Sequence, residues 1–508
     1  MYHYRDYRKK KKRRAGKIAA TLFTLLLILL IVVVIKTLTY PFAKQEVSAT
    51  TELVDYRATD EAIERLAHAI RIPTISEDVM KMADNPFDQF NVYLPEAFPE
   101  VYASMDTLTV NKYGLLFRWK GKDSSRHPIL FLAHYDVVPV AGYESEDDSL
   151  QLGWDYPPFS GAVANERLYG RGALDAKSML TAQMEAATAL LADSFMPEQD
   201  IWFAYGFDEE TGGTEGAARM VEYFKQQHIT FDAVYDEGSV VVAPGFAGIG
   251  HPLALVGVAE KGFCTLNITV RGMGGHSSMP PRKSSLVLAA EIIEKLNSKQ
   301  LPAEITPPIA SFLDRVGGGM NFMSRLTIAN QWLLEKPLIN VLENSRVTNA
   351  LIRTTTAITM AKGSDAANVL SSFAGITVNF RILTGQTVED VVNHVKHICA
   401  GYDVDIEVEM ARQPSTPSSE DTPAFRAIKG SMAKLYPEAV VAAYIALTGT
   451  DAQKYEAVSS NVYRIMPVLI DEDEQRSIHN ENEYISLENY GKMIAYYKDL
   501  MRTFETVE

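Results

Sequence analysis

The sequence predicts an α/β protein with two domains. The larger domain is expected to hold a mixed, mainly parallel sheet with helices on both faces. The smaller, inserted domain is expected to have two α+β layers, an antiparallel sheet with helices on one face only. A length of 508 residues exceeds what one hydrophobic core usually holds. Apolar strands alternate with helices up to about residue 250, and half-polar strands follow.

The amino terminus combines a basic block with an apolar segment that is long enough to cross most of a bilayer core. We expect a basic cytoplasmic tail at 1–17, a transmembrane helix in the lipid bilayer at 18–36 and a polar stalk at 37–57. The basic flank should stay cytoplasmic, which places the body of the protein outside the cytoplasm. A cleaved signal peptide is the alternative, although no small-residue cleavage site follows before Tyr40-Pro41.

The charge of the body argues against a nucleic-acid partner. Residues 1–17 carry nine Lys/Arg and one Asp, which leaves 40 basic and 63 acidic residues in the remainder, a net charge of about −23. Nucleic-acid binding requires a basic face. The two cysteines, Cys264 and Cys399, fall on apolar positions and are expected to be buried core residues rather than a disulfide framework.

The elements of the first domain follow from periodicity and from turn residues. A helix at 59–70 should end before Pro73. The elements expected after it are strands at 108–119, 128–133 and 200–207 and helices at 177–191 and 215–227. The Pro/Ser/Thr-rich stretch 413–423 marks the return of the chain to this domain, which then ends in a helix at 486–504. The first domain therefore spans 58–253 and 411–508.

The inserted domain, predicted at 254–410, contains two strands in which polar and apolar residues alternate. These strands are expected at 264–271 and 374–382, and amphipathic helices should follow them at 284–296 and 387–399. Two strand-helix units with a polar sheet face imply helices on one side of the sheet only. The uncovered face is then available to close over another surface.

A histidine and an aspartate stand at the end of the apolar strand 128–133. Catalytic groups in open α/β sheets gather at the carboxyl ends of such strands. His134 and Asp136 share one side of an extended backbone, so Asp136 can orient the imidazole, as carboxylates do for metal-bound histidines. A purely structural hydrogen bond is the alternative, and the pair alone does not decide between them.

Further carboxylates and a second histidine follow other predicted elements. Asp175 precedes a helix, Asp236 follows a short apolar strand, and His479 precedes the terminal helix. Three consecutive acids, 208–210, follow the buried strand 200–207, and such crowding is costly unless a cation neutralises it or a proton is shared. One imidazole with several carboxylates per metal suits zinc, with cobalt or manganese also possible.

In these segments the chain resembles the aminoacylase and carboxypeptidase family of dinuclear zinc peptidases. Within that family it is most similar to the carboxypeptidase S (Gly-X carboxypeptidase) and N-acyl-amino-acid hydrolase branch. The resemblance extends from about Glu61 to the carboxyl end. The matching motifs are AHYDVVPV, WDYPPFSGAV, LYGRGALDAKSML, FDEETGG, GGHSSMPP, VNFRILTGQTVEDV and TGTDAQKY.

The resemblance implies two zinc ions per subunit. The ligands that it carries over are His134, Asp175, Glu210, Asp236 and His479. Asp175 would bridge the two metals, with Asp136 orienting His134, and Glu209 would be the general base that takes a proton from the metal-bridging water. Ala176 departs from the family, in which many members have a second Asp at this position.

The resemblance also assigns residues around the substrate. His276 would be the histidine of the inserted domain that holds the oxyanion in its own or a partner's active site, and a helix-capping turn histidine is the alternative. Arg381 would grip the substrate carboxylate, with a solvated charge on the sheet face as the alternative. Gly449 and Thr450 would line the same pocket. A homodimer through the inserted domain is a possible assembly.

Together these observations predict a membrane-anchored, two-metal amidohydrolase that cleaves the amide bond before a free C-terminal amino acid. The substrate would be a small peptide or an N-acyl amino acid, including a fatty-acyl one, because both activities share every catalytic residue. A tethered binding protein that has lost its chemistry is a rival of another class, but no ligand is lost. A dinucleotide-binding oxidoreductase is a poorer rival still, because Gly-x-Gly-x-x-Gly is absent after the first strand.

Overall fold

The computed structural model of the protein describes residues 2–41, 56–77, 79–82, 84–246 and 249–503. Within these ranges, ten strands form one mixed sheet, the main sheet. In spatial order, its strands are Asp106–Val110, Gly114–Trp119, Ile201–Gly206, Ile129–His134, Ala233–Asp236, Val462–Arg464, Leu253–Glu260, Val241–Val242 and Leu469–Ile470, with Val440–Ala446 paired to Leu253–Glu260.

The centre of the main sheet is parallel and covered on both faces, as predicted. The strand Ile129–His134 pairs in parallel with Ile201–Gly206 on one side and with Ala233–Asp236 on the other. Its side chains alternate between two apolar clusters. Phe131 belongs to the cluster of helices Lys177–Ala192 and Leu487–Thr503, whereas its neighbours Leu130 and Leu132 belong to the cluster of helix Ala217–Gln226. Helices therefore pack against both faces of this strand.

One predicted strand is a hairpin in the structure. The segment 108–119, expected to be a single strand, contains the antiparallel pair Asp106–Val110 and Gly114–Trp119. Asn111 and Lys112 between them have φ values of 48° and 71°. Two successive residues with positive φ form the kind of tight turn that joins hairpin strands. The apolar residues on both sides of the turn concealed it.

The inserted domain has the predicted two layers. Four antiparallel strands of the described chain form its sheet. In spatial order they are Thr355–Lys362, Phe373–Ile382, Gly262–Arg271 and Val404–Arg412. The helices Ser285–Ser298 and Val388–Ile398 pack on one face, where their apolar residues share a cluster with alternate residues of the strands. Cys264 and Cys399 are both buried and free in this core, as expected.

The segment 254–410, predicted as the insert, includes parts that pack with the main sheet. The strand Leu253–Glu260 belongs to the main sheet, so the sheet of the inserted domain begins only at Gly262. The helix Pro307–Val316 packs through Ile309, Phe312 and Leu313 in the cluster of the main-sheet strand Val440–Ala446. Continuous burial along Leu253–Glu260, with every residue buried, distinguishes it from the half-polar strands of the insert.

The remaining elements are helices and short strands around these sheets. The helices are Tyr2–Leu38, Asp60–Arg71, Pro86–Ala97, Pro99–Ser104, Phe322–Ala329, Gln331–Leu342, Arg346–Ile352, Pro423–Leu435, Ala452–Tyr455 and Glu472–Ser477. The strands Ala162–Ala164, Arg167–Tyr169 and Tyr484–Ser486 form one small sheet, and Gly275–His276 pairs with Val369–Leu370.

The amino-terminal helix Tyr2–Leu38 contains a stretch, Gly16–Leu38, that is long and apolar enough to cross a membrane. At 1.5 Å per residue its 23 residues measure about 35 Å, slightly more than a hydrocarbon core. A signal sequence has the same features. Residues 42–55, most of the predicted stalk, lie outside the described residues.

Candidate metal centre

The residues predicted to bind metal or to act in catalysis meet at the carboxyl ends of three neighbouring parallel strands. His134 is the last residue of Ile129–His134, and the 3-10 turn Glu209–Thr211 begins three residues after Ile201–Gly206 ends. Glu237 directly follows Ala233–Asp236. Side chains at adjacent strand ends converge on one edge of an α/β sheet, where such proteins bind ligands.

Among the described residues, two groups of side chains have the geometry of metal sites, and they share Asp175. In the first, His134 Nε2 lies 3.0 Å from Asp175 Oδ1 and 3.3 Å from Glu237 Oε1. In the second, His479 Nε2 lies 3.0 Å from Asp175 Oδ2 and 3.1 Å from Glu210 Oε1. The two oxygens of Asp175 thus face different histidines, which is the arrangement of a bridging carboxylate.

Asp136 supports both groups from behind. The Nδ1 atom of His134 lies 3.1 Å from the Asp136 carbonyl oxygen and 3.3 Å from its Oδ1. An Nδ1–H that donates to Asp136 leaves the Nε2 lone pair directed at the first group. The Asp136 carboxylate also accepts hydrogen bonds from the backbone N–H groups of Glu209 and Glu210, at 3.2 and 3.1 Å. It therefore fixes the ring and the acidic turn together.

The electrostatics of the two groups favour a positive ion. Burial raises the pKa of Glu237 to about 7, and the charge of Asp175 adds to the shift. Hydrogen bonds to Asp175 and Glu210 raise the pKa of His479 to about 10. Burial would lower the pKa of His134, but Glu237 and the neighbouring carboxylates raise it well above its usual value. Carboxylates crowded in this way are stabilised by a cation, and one imidazole with carboxylate oxygens suits zinc, cobalt or manganese.

The structure does not bring Asp236, an expected ligand, into either group formed by the described residues, and it places Glu237 there instead. Successive side chains of an extended chain point to opposite sides, so a shift of one residue changes which carboxylate reaches the cleft. Asp236 is buried, its Oδ2 has no hydrogen-bond partner within the described chain, and burial raises its pKa to about 8. The sequence Asp-Glu-Gly alone gave no means of choosing between the two acids.

The three consecutive acids have different surroundings. Asp208 accepts hydrogen bonds from the backbone N–H groups of Glu215 and Gly216, at 2.7 and 2.8 Å, and so holds the loop before helix Ala217–Gln226. Glu210 belongs to the second group. Glu209 belongs to neither group of the described residues, and burial raises its pKa well above its usual value although His134 opposes the shift.

A buried ion pair that sequence reasoning missed holds the turn that carries Asp175. Glu483 is fully buried, and its Oε2 lies 2.6 Å from Arg171 Nη1. Its Oε1 accepts hydrogen bonds from the backbone N–H groups of Gly172, Leu174 and Asp175 at 3.0 to 3.1 Å. Glu483 therefore positions the shared carboxylate from a point more than 300 residues along the chain. In the sequence, Glu483 is one of several acids in a polar turn, and it lies in none of the matching motifs.

Replacing Glu483 by Gln is expected to destabilise the fold by about 3 to 5 kcal/mol, because it leaves the buried Arg171 guanidinium without its counter-charge. Urea unfolding followed by tryptophan fluorescence would measure the loss. The exposed Glu481 offers a matched control, since Glu481→Gln removes the same charge two residues away and should leave the midpoint nearly unchanged. Equal midpoints for the two variants would show that the pair does not support the turn.

His276 lies on the short strand Gly275–His276 of the inserted domain and is exposed. Its Nδ1 contacts the Ser278 hydroxyl at 2.7 Å. It is a member of neither metal-type group among the described residues. A role for His276 in this or a partner's active site therefore stays a prediction.

Arg381 is the second-last residue of strand Phe373–Ile382 in the inserted domain and lies beside a second arginine. Its guanidinium is 5.9 Å from the ring centre of Phe263, and that of Arg412 is 5.5 Å from the same ring. Arg381 is exposed, and partial burial of its guanidinium lowers its pKa, with the charge of Arg412 adding to the shift. Lys177, the first residue of helix Lys177–Ala192, is a further cation, but it is fully buried and donates to the carbonyl oxygens of Ala69 and Ile72 at 2.9 and 2.5 Å.

Gly449 and Thr450 lie where the two domains join. A Cβ at Gly449 would come within 2.5 Å of Arg412 Nη2, so the glycine allows that guanidinium to pass. The Thr450 hydroxyl donates to Glu260 Oε1 at 2.7 Å, and its N–H to Oε2 at 3.2 Å. Glu260 also pairs with the fully buried Arg464 at 2.5 Å. Thr450 is therefore occupied by this ionic network, which the sequence did not reveal.

Comparisons with known proteins find a matching family, similar sequences and a similar fold. The profile of peptidase family M20/M25/M40 matches residues 130–503. "Probable carboxypeptidase S-like 2" of Dictyostelium discoideum is 32% identical over 88% of this chain and 85% of its own length. "N-fatty-acyl-amino acid synthase/hydrolase PM20D1" of Xenopus tropicalis is also 32% identical, over 93% of this chain and 92% of its own. The crystal structure of the M20 family metallo-carboxypeptidase Sso-CP2 from Sulfolobus solfataricus shares the fold, with a TM-score of 0.64, 18% identity and coverage of 88% and 100%.

Proposed function

Because the chain belongs to peptidase family M20/M25/M40, a family of metal-dependent hydrolases, we propose that it is anchored in a membrane and hydrolyses the amide bond that precedes a free C-terminal amino acid. The observation that carries this proposal is the shared Asp175, whose two carboxylate oxygens face His134 and His479 at 3.0 Å each. A tethered binding protein would not need a carboxylate shared in this way beside a half-buried acid such as Glu209.

The proposed metal ligands fall into two sets. His134, Asp175 and Glu237 would hold one divalent cation, and Asp175, Glu210 and His479 the other. We propose that both cations are zinc ions. When bound, they would supply the positive charge that polarises a scissile carbonyl and acidifies water. The residues themselves fit this task, since each set offers one imidazole and carboxylate oxygens within 4.8 Å of one another.

The side chains around the two sets divide the remaining work. Asp136 holds the His134 ring and the backbone of the acidic turn. Glu209, adjacent to a ligand but in neither set, would take a proton from the attacking water and deliver it to the leaving amine. Burial, which raises the pKa of Glu209, favours the protonated form that this side chain takes between the two transfers.

The choice between Asp236 and Glu237 is open to direct measurement. Glu237→Gln is expected to lower the metal content from two ions per chain to about one, because it removes a carboxylate that lies 3.3 Å from His134 Nε2. Asp236→Asn, the matched control one residue earlier, should retain both ions. Metal analysis of the two purified variants decides the point, and retention of both ions by Glu237→Gln would restore Asp236 as the ligand.

Arg381 is proposed to bind the terminal carboxylate of the substrate. A guanidinium matches a carboxylate bidentately, and the adjacent Arg412 makes the local potential more positive. Amidating the substrate should therefore cost the native enzyme about 2 to 4 kcal/mol in kcat/KM, the order for a charged hydrogen bond left unpaired.

In Arg381→Ala the same amidation should cost little, because the partner of the carboxylate is already absent. The comparison needs kcat/KM for free-acid and amidated forms of one substrate in both backgrounds. Equal penalties would show that Arg381 does not recognise the carboxylate. Arg412 would then be the next residue to test, since Lys177 is engaged inside the core.

The acyl side of the substrate separates two activities. The relatives carry names of both kinds, a carboxypeptidase and an N-fatty-acyl-amino acid hydrolase, so a small peptide is our first proposal and an N-acyl amino acid the second. Assays of the full-length protein on short peptides and on N-acyl amino acids, with and without a chelator, test the proposal. Chelator-insensitive hydrolysis, or no hydrolysis of either class after metal reconstitution, would contradict it.

The membrane and oligomer assignments are part of the same proposal. Within the apolar stretch Gly16–Leu38, residues 18–36 would span the bilayer, with residues 1–17 in the cytoplasm and the body outside it. A homodimer would form through the inserted domain, whose position 276 is exposed.

A further inference from the structure

Two consecutive helices of the body, Phe322–Ala329 and Gln331–Leu342, expose large apolar side chains beside the membrane helix. Phe322, Met323, Trp332 and Leu333 are 44%, 69%, 58% and 45% exposed with the membrane helix in place. We call these four residues the apolar apron. Apolar side chains gathered in this way on a soluble domain mark a surface that contacts a partner or a membrane.

Direct contacts fix the level of the apolar apron along the membrane helix. Asn330, between the two apron helices, donates through Nδ2 to the Val33 carbonyl oxygen at 3.3 Å and to the Thr37 hydroxyl at 3.1 Å. Thr37 is fully buried by this contact. The Tyr40 hydroxyl donates to the Asp314 carboxylate at 2.6 Å. The membrane helix is thus attached to the body at its carboxyl end.

The attachment lies within the apolar span and not beyond it. Val33 is five residues before Leu38, the end of the span, which corresponds to about 8 Å along the helix axis. Helices that lie in a bilayer interface bury their apolar face about 5 to 10 Å deep. Trp332 also lies beside Lys36, whose Nζ is 5.6 Å from its ring, and tryptophan and lysine are typical of the interface.

The charge of this region suits a membrane surface and distinguishes it from the rest of the body. Residues 315–334 contain no Asp or Glu, although the body carries a net charge of about −23. Arg315 and Arg325 lie within this stretch. An acid-free, apolar stretch is not repelled by anionic headgroups, as the remainder of the body would be.

We propose that the apolar apron inserts into the bilayer interface next to the membrane helix, so that the body rests on the membrane instead of standing away from it. The proposal depends on the membrane anchor proposed above. The surface that the apolar apron contacts is the leaflet from which the membrane helix emerges. The docked body therefore has a fixed orientation relative to the membrane plane.

Trp332 provides an internal probe for the experiment. The chain has four tryptophans, and Trp119, Trp154 and Trp202 are at most 6% exposed, whereas Trp332 is 58% exposed. The full-length protein would be placed in phosphatidylcholine nanodiscs with and without lipids brominated near the headgroup end of their acyl chains. The emission of Trp332 is the difference between the emission of the native protein and that of Trp332→Phe. This difference should be about twofold or more smaller in the brominated discs than in the unbrominated ones, because a docked Trp332 ring lies at the depth of the bromine atoms.

A second readout needs no variant. Met323, Met80 and Met196 are 69%, 51% and 52% exposed, and only Met323 belongs to the apolar apron. Met80 and Met196 also lie outside the inserted domain, so a homodimer through that domain would not shield them. Under mild peroxide in nanodiscs, Met323 should oxidise several-fold more slowly than the other two. Equal oxidation rates with unquenched Trp332 emission would overturn the docking while leaving the anchor intact. Failure of the chain to migrate with the nanodiscs would instead reject the anchor itself, and the docking with it.

Discussion

Replacing Glu209 by Gln is expected to lower kcat/KM by about 10²- to 10⁴-fold, the usual contribution of a general base, while both metal ions stay bound. The side chain keeps its size but can no longer accept a proton. The metals are retained because Glu209 lies outside both ligand sets of the described residues. Steady-state kinetics and metal analysis of the same preparation would measure the two effects together.

The neighbouring Glu210 supplies the matched control for this experiment. Glu210→Gln removes a carboxylate 3.1 Å from His479 Nε2 and should lose about one ion per chain as well as activity. The two variants therefore differ in metal content and not only in turnover. If Glu209→Gln lost metal to the same extent, Glu209 would be a ligand and another residue would have to carry the proton.

Asp175→Ala should have a still larger effect, because it removes oxygen atoms from both sets at once. We expect metal content near zero, hydrolysis below detection and a fold that is retained by circular dichroism. Glu237→Gln, which affects one set only, gives the graded comparison. Retention of one tightly bound ion by Asp175→Ala would mean that Asp175 does not bridge, and that the 3.0 Å approach to His479 has another purpose.

The parts of the fold and the site that depend on local pattern were predictable. The apolar run before His134 indicated a buried strand, and the order of His134, Asp175 and Glu210 after successive elements indicated their meeting at one sheet edge. Alternation of polar and apolar residues likewise predicted both core strands of the inserted domain. In each case the spacing of the apolar residues indicates whether one face of the strand or the whole strand is buried.

The parts that escaped prediction depend on one-residue register or on distant partners. Whether Asp236 or Glu237 reaches the cleft depends on the direction of a side chain where a strand ends, which an acidic pair does not encode. Glu483 and Glu260 act on residues far along the chain, and their value lies in burial and in the hydrogen bonds they accept. Sequence periodicity reports which face is apolar, but not which buried charge finds its counter-charge.

The position of Val462–Arg464 within the main sheet determines the order in which the protein can be completed during synthesis. This strand lies between Ala233–Asp236 and Leu253–Glu260, so a ribosome must translate most of the chain before the sheet becomes continuous. The inserted domain needs no residue beyond Arg412 for its own sheet and can fold earlier. His479 arrives later still. The set formed by Asp175, Glu210 and His479 can therefore be completed only after translation is nearly finished, whereas all residues of the set formed by His134, Asp175 and Glu237 are translated by residue 237.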